Sequence, residues 1–370
     1  MKRTLTFVLA IFFVLLALRL SRHAAGPCPA PDSEAAVASS QQEPGSPARR
    51  VACRVTSATQ PTQAIDANLL AAVEAEPDPD RKSEALERVV KSVSDANLPA
   101  VLDALASDPS PAAADLRQLL VRRWAQSDAS AAAAWSARLP EGSVQCAAVG
   151  QVAIAWANSD LPAATAWVQA MSAGDSKGVA AVNLGYEAAR SEPVTALVVA
   201  SALPSGPQRD DLLVHAVSQW AAGDSALATE WAAAVPDVTL RERLLAAVAV
   251  SSAKQDGAAA ATLAMKTLGA GDEQDRAAVS IVQRWAQNSP SAAASWVAQW
   301  PDTPARDAAT QNLVAVWTGQ DSQAAAVWLQ ALPEGALRNT GFSAYSQALT
   351  DRARSSAAAL ATDSVGTLLQ

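Results

Sequence analysis

Two histidines and three cysteines in 370 residues are too few for a zinc-cluster protein or a disulfide scaffold. Neither Cys-x-x-Cys nor His-Glu-x-x-His occurs, and no phosphate-binding glycine loop stands between a strand and a helix. His23 lies near the start of the chain and His215 stands alone in its body, so Ser-His-Asp and Cys-His constellations are nearly excluded. Charge is also scarce: 17% of residues carry it, with a net of −8. Residues 1–54 hold seven Lys/Arg against three Asp/Glu, leaving 21 against 33 in residues 55–370, a net of −12 there. Such a balance repels nucleic acid and anionic lipid. Sustained apolar/polar alternation is missing, which argues against a sheet. What is present is apolar: half the residues are hydrophobic, which excludes disorder of the whole chain. Roughly a quarter of the chain is alanine, which points to many small, closely packed helices. The aromatic content is only 5%, but eleven of those residues are tryptophan.

The chain opens with Lys2 and Arg3, then an apolar run from Leu5 to Leu18 broken only by Thr6. As a helix that run spans about 21 Å, short of the ~30 Å bilayer core and typical of a signal segment. Residues 1–23 are therefore expected to be a signal peptide or an uncleaved signal anchor. In the second case residues 4–20 hold the chain at the inner membrane, with Arg19 snorkelling. Ala24-Ala25-Gly26 offers small residues for cleavage, but Pro27 follows them. Pro27 also occupies a position before Cys28 where a lipidation motif needs a small residue. On either reading the bulk of the chain is exported to the periplasm or cell envelope. Residues 24–63 are rich in proline, serine and glutamine without an apolar period, and are expected to be a disordered tether. Cys28 and Cys53 lie in it, able to pair or to remain thiols. Cys146, in an apolar helical run, is expected to be a small buried residue.

From about residue 64 the sequence repeats. Trp124-Ala-Gln-Ser-Asp128 is followed by Trp135 and Leu139-Pro140, and about 32 residues on by Trp156-Ala-Asn-Ser-Asp160 and Trp167. The frame returns as Trp220, Asp224, Trp231, as Ser252, Asp256, Leu263, as Trp285, Ser289, Trp296, and as Trp317, Asp321, Trp328. It decays into Leu349 and Leu360. A degenerate copy holds Ser191, Pro193 and Leu203-Pro204, and Asp66 and Asp95 mark two earlier copies without tryptophan. Trp300 takes a third position, where other copies have leucine or valine. About nine units at a fixed period are the signature of a solenoid.

Each unit is readable as two helices. Asp128, Asp160, Asp224, Asp256 and Asp321 are expected to be N-caps, accepting backbone N–H groups at the positive helix end. A short helix then carries the Ala-rich stretch up to Trp135 and its equivalents, and stops at Leu-Pro-x-Gly. A longer helix follows, for example Val144 to Trp156. The tryptophans are expected to be structural, filling the gap between neighbouring hairpins. The expected fold is all-α: an α-α hairpin solenoid (superhelix) over residues 64–370, preceded by the N-terminal membrane or signal helix.

Period, helix–turn–helix unit and small/aromatic alternation resemble the tetratricopeptide-type α-solenoids, although the Trp-x-x-Leu-Gly-x-x-Tyr string of that family is not present. The closer likeness is to the Trp-Ala-x-x-Asp-Pro-x-Ala-Ala-x-x-Trp helical repeats of bacterial envelope proteins, over roughly residues 64–362. The resemblance implies a superhelical scaffold that binds other macromolecules, and it carries over no residue-level site.

The candidates for chemistry are few. Asp210-Asp211, Glu230 and Asp272-Glu273 are the carboxylates available for acid–base work, which needs two acids in one cleft. The expectation is a non-enzymatic scaffold with a protein or peptide partner in the envelope and no cofactor, metal, small-molecule or nucleic-acid ligand. The alternative is a module that binds cell-wall glycan on exposed tryptophans.

Overall fold

The computed structural model of the chain describes residues 67–368, with side chains over 70–356. The signal or anchor segment at 1–23, the tether at 24–63 and the Cys28–Cys53 pairing lie outside the described residues. Among those residues there are eighteen α-helices, one 3-10 turn at Asp95–Asn97 and no strand. They follow as α1 (Ala67–Glu74), α2 (Pro79–Ser92), α3 (Leu98–Ala106), α4 (Pro111–Ser127), α5 (Ala129–Ser136) and α6 (Ser143–Ser159). Next come α7 (Leu161–Ala170), α8 (Asp175–Ser191), α9 (Pro193–Ser201), α10 (Pro207–Gly223), α11 (Ser225–Ala233) and α12 (Val238–Ser252). The last six are α13 (Gly257–Thr267), α14 (Asp272–Trp285), α15 (Pro290–Val297), α16 (Pro304–Gln320), α17 (Ser322–Ala331) and α18 (Ala336–Leu368).

Short and long helices alternate and pack in neighbouring pairs. Each long helix from α4 to α16 lies against the next long one, and the short helix between them touches both. No helix among the described residues is long and apolar enough to cross a membrane.

The packing explains the composition. Four residues before the first tryptophan position, Leu120, Val152, Leu184, Ala216, Val248, Ile281 and Leu313 are each fully buried in the long-helix row. Burying a side chain of leucine size contributes about 1.5–3 kcal/mol, so the row supplies much of the driving force. On the short helices, Ala132, Ala164, Ala196, Ala228, Ala260, Ala293 and Ala325 occupy one equivalent position and are all buried. Only a methyl group fits where a short helix is wedged between two long ones, which is why the chain is so rich in alanine.

A single residue joins each long helix to the short one after it. Asp128 is in an extended conformation, with φ −147° and ψ 85°. Its own N–H donates to the Trp124 carbonyl at 2.7 Å, closing the last turn of α4. Its Oδ1 accepts the Ala131 N–H at 2.9 Å, opening α5. Asp160, Asp224, Asp256 and Asp321 accept in the same way from Ala163, Leu227, Ala259 and Ala324. The Trp-x-x-x-Asp spacing is thus one carbonyl and one carboxylate working on either side of a corner. Ser289 and Glu192 hold the same corner without a side-chain bond to the following backbone.

The other connection is a turn clamped by a residue in the first turn of the long helix. Gln145 donates to the Leu139 carbonyl (3.0 Å), Lys177 to Met171 (2.8 Å), Arg241 to Val235 (2.9 Å), Gln274 to Leu268 (3.1 Å) and Arg306 to Trp300 (3.4 Å). Donor follows acceptor by six residues each time. Gly142, at φ 147°, takes a backbone angle that a side chain would strain, and so starts α6. Where no glycine stands there, Asp237 and Thr303 cap α12 and α16 with their side chains.

The array changes at its last corner. Ala353 stands where five other copies have a capping aspartate, and alanine is a poor cap but the best helix former. The long helix therefore does not turn, and α18 runs on through Leu368, absorbing the stretch around Leu360 that would otherwise be a short helix.

A buried exception fits the same frame. Thr318 is 1% exposed and its hydroxyl has no hydrogen-bond partner. The equivalent residues upstream are Ala125, Ala157, Ala189, Ala221, Ala253 and Ala286. Leaving a buried hydroxyl unsatisfied costs about 1–3 kcal/mol. Thr318→Val keeps the volume without the hydroxyl, and is expected to raise the denaturation midpoint by an amount equivalent to about 1 kcal/mol. An unchanged or lower midpoint counts against the frame argument.

Candidate functional site

The tryptophans are where the sequence concentrates its chemistry, and the hairpin brings them together. The first of each pair sits in the last turns of a long helix, and the second sits past the corner, near the end of the short one. Ring centroids are 6.2 Å apart for Trp124 and Trp135, and 5.4 Å for Trp156 and Trp167. Trp285 and Trp296 are at 6.0 Å, and Trp317 and Trp328 at 5.8 Å. Trp300, at the third position, meets Trp296 edge-on at 4.7 Å. These tilted and edge geometries suit the ring quadrupole. Trp135, Trp220 and Trp317 are buried, and the other eight, Trp231 among them, are half-buried. None of the eleven is an exposed residue.

The indoles also pack between hairpins. Gly257 begins α13, and a Cβ placed on it would overlap the Trp285 ring of the next long helix. Gly257→Ala is expected to cost about 1–3 kcal/mol by overpacking, and Trp285→Leu in the same chain to recover most of that loss. A substitution without effect on thermal unfolding, in a folded protein, would show that Trp285 has room to move. Trp135 donates its Nε1–H to Asp103 Oδ1 at 2.7 Å. Asp103 occupies on α3 the position that Trp135 occupies on α5, so the copy that begins at Asp95, which lacks tryptophan, receives the indole of the copy after it.

Further polar side chains are taken up by the backbone between hairpins. Gln255 donates to the Ala222 carbonyl, Asn288 to Lys254 (2.6 Å) and Gln320 to Gln287 (2.9 Å). These carbonyls lie at long-helix ends, where no intrahelical donor reaches them. Arg123 does the same at the first interface, donating to the carbonyls of Val90 and Val93 and pairing with Asp95. Arg117 is buried and donates to the Leu105 carbonyl at 2.6 Å. Burial pushes its guanidinium below the usual arginine range, against the pull of Asp108. Asp108 is held below the ordinary carboxylate range by the Ser110 N–H, then by the Ser110 hydroxyl, and by Arg117 to a lesser degree.

The sequence's catalytic candidates are spread over α10, α11 and α14. Asp210 pairs with Arg209 at 2.7 Å and Asp211 with Arg243 at 2.9 Å. Glu273 pairs with Arg276 at 2.8 Å, and Asp272 and Glu230 are exposed. His215 is half-buried, with its ring 5.1 Å from that of Tyr186, and His23 lies outside the described residues. No group of three or more His, Cys, Asp or Glu among the described residues could hold a metal.

A cleft of about 650 Å³ opens between the α5–α6 turn and the α7–α8 turn, lined by Glu141, Gln145, Cys146, Trp167, Ser176 and Lys177 among others. Cys146 is half-buried on this wall and not fully buried as expected, with Sγ 3.7 Å from Ser176 Oγ. The first residues of a long helix border the turn, so an apolar run alone does not bury them. Three of the polar groups here, Gln145, Ser176 and Lys177, are already engaged. Ser176 donates to Gln145 (2.7 Å), and Lys177 donates to the carbonyls of Gln169 and Met171.

A smaller groove of about 490 Å³ lies between α13 and α15, with Trp285 and Trp296 in its lining. No protein-family model, no curated protein and no solved structure matches the chain.

Proposed function

We propose that residues 64–370 are an α-α hairpin solenoid of about nine repeats, exported and held at the inner membrane by the N-terminal segment. The array is a scaffold for a protein or peptide partner in the cell envelope. What carries this reading is the recurrence of the same corner, clamp and buried alanine at one frame position through successive hairpins. Asp210, Asp211 and Glu273 are held in ion pairs and Lys177 on backbone carbonyls, which supports binding rather than catalysis. The likeness to envelope helical repeats points the same way. A glycan-stacking surface would need flat indole faces open to solvent, and the tryptophans are buried or half-buried.

Two experiments test this. A reporter that works only after export, fused after Arg54, is expected to be active, and activity of a cytoplasm-only reporter at that point overturns the orientation. In-cell crosslinking with the full chain as bait is expected to trap one envelope protein in fixed ratio. If no protein is trapped while soluble cell-wall fragments shift the tryptophan fluorescence, the scaffold reading fails.

A further inference from the structure

We infer that the groove between α13 and α15 docks a partner segment that presents a bulky apolar side chain beside an aspartate or glutamate. The inference deepens the scaffold reading and rests on it. In a repeated array, what packing requires recurs from copy to copy. A departure from the frame at a position open to solvent is not required by packing. Two such departures stand side by side in this groove. Met265 is 43% exposed, and its equivalents in other copies are Ala137, Gln169, Ser201, Ala233, Ala298 and Gln330, all exposed and none of them large and apolar. Lys266 follows it, also exposed, and no other short helix from α3 to α17 carries a lysine or an arginine.

The rest of the lining sets the chemistry. Ala258, Ala261, Trp285 and Trp296 are apolar, and the Thr262 hydroxyl is spent on the Ala258 carbonyl at 2.8 Å. Trp296 is held against Trp285 at 6.0 Å and edge-on to Trp300 at 4.7 Å, so the aromatic part is already in place. Methionine is flexible and polarizable, and adapts to an apolar side chain laid beside those rings. Unlike Trp135, neither Trp285 nor Trp296 has an acceptor for its indole N–H among the described residues, and neither N–H is sealed from solvent. The groove lining contains no acidic residue, and neither do α13 and α15, so the Lys266 ammonium has no carboxylate there to neutralise it. A purely apolar segment would leave that charge unmatched, and a purely acidic one would leave the indoles and Met265 uncovered. An apolar residue next to a carboxylate matches both.

The probe is an acetylated, amidated hexapeptide of glycine and serine with one phenylalanine next to one aspartate, added at millimolar concentration to the full chain labelled with methyl-13C methionine. The chain has three methionines, and Met265→Leu identifies the signal that matters. That signal is expected to move, and the peptide with asparagine for aspartate to bind about two- to five-fold more weakly, the loss of one exposed ion pair. Lys266→Gln should abolish the difference, and Lys266→Glu should shift the preference to a peptide with lysine in place of aspartate. Met265→Ala with Lys266→Ala restores residues that other copies carry. It should keep the melting temperature and weaken binding, read by calorimetry, by about ten-fold. A Met265 signal that the phenylalanine–aspartate peptide does not move overturns the proposal, as does equal binding of the aspartate and asparagine peptides, or binding unchanged in the double variant. Octanoate moving the signal where the peptide does not assigns the groove to a small amphiphilic carboxylate and overturns the peptide assignment. If the groove fails while in-cell crosslinking still traps one envelope protein, the scaffold reading stands with its contact elsewhere.

Discussion

Trp135→Ala is expected to lower the unfolding free energy by about 3–5 kcal/mol, the range seen when a large buried aromatic is removed and its cavity only partly collapses. Trp135 is 1% exposed and ranks among the largest fully buried side chains. Its neighbours are helices joined by single-residue corners, which have little freedom to close the gap. The loss has a second part, because the Nε1–H that Asp103 accepts at 2.7 Å disappears with the ring. Trp135→Phe separates the two contributions: it keeps most of the apolar volume and removes the donor, and should cost about 1–2 kcal/mol. Trp156→Ala should cost less than Trp135→Ala, since that ring is half-buried. Chemical denaturation of the three variants, read by far-UV dichroism, decides the matter. A Trp135→Ala chain as stable as wild type would mean that the tryptophans are kept for a surface they share with a ligand.

The frame was legible in the sequence wherever its geometry is local. A carboxylate that caps the N–H three residues on, as at Asp128, needs no knowledge of what packs behind it. The limits of α6 follow equally from breakers and caps, because Leu139-Pro140-Glu141-Gly142 ends one helix and Asp160 the next. What escaped notice depends on contacts across a repeat. The Asp103–Trp135 bond could have been found by asking what stands at the tryptophan position one period upstream. The amides of Gln255, Asn288 and Gln320 share a position, three residues past the first tryptophan position, but each reads as an ordinary polar helix end. The clamp at Gln145, Lys177, Arg241, Gln274 and Arg306 was hidden because chemically different donors serve one acceptor, a turn carbonyl that no side-chain pattern reveals. Cys146 was misjudged for the opposite reason: its neighbours are apolar, but its burial depends on a turn from the next hairpin.

Deleting Asp128 to Ser159 is expected to leave a folded, fully helical protein, whereas ending the chain at Val152 is expected to give aggregation. The splice joins Ser127 to Asp160, and the corner it creates is the corner it removes. Asp128 has φ −147° and ψ 85°, and Asp160 has φ −150° and ψ 85°. Asp160 would close α4 through the Trp124 carbonyl and open α7 through the Ala163 N–H, a bond it already makes at 3.0 Å. Trp167 would inherit the place of Trp135 opposite Asp103. The buried row keeps its order too, with Leu184 of α8 arriving where Val152 of α6 had packed on α4. Because each hairpin touches only its neighbours, the loss is confined to one interface and one repeat's own stability. Stopping at Val152 instead halves α6, leaving Val149 and Val152 with no long helix to cover them and no capping residue to end the turn. Far-UV dichroism and light scattering on the two chains give the comparison. If the one-repeat deletion scatters and unfolds as badly as the truncation, the hairpins are not interchangeable, and the claim that a repeated frame builds this protein is wrong.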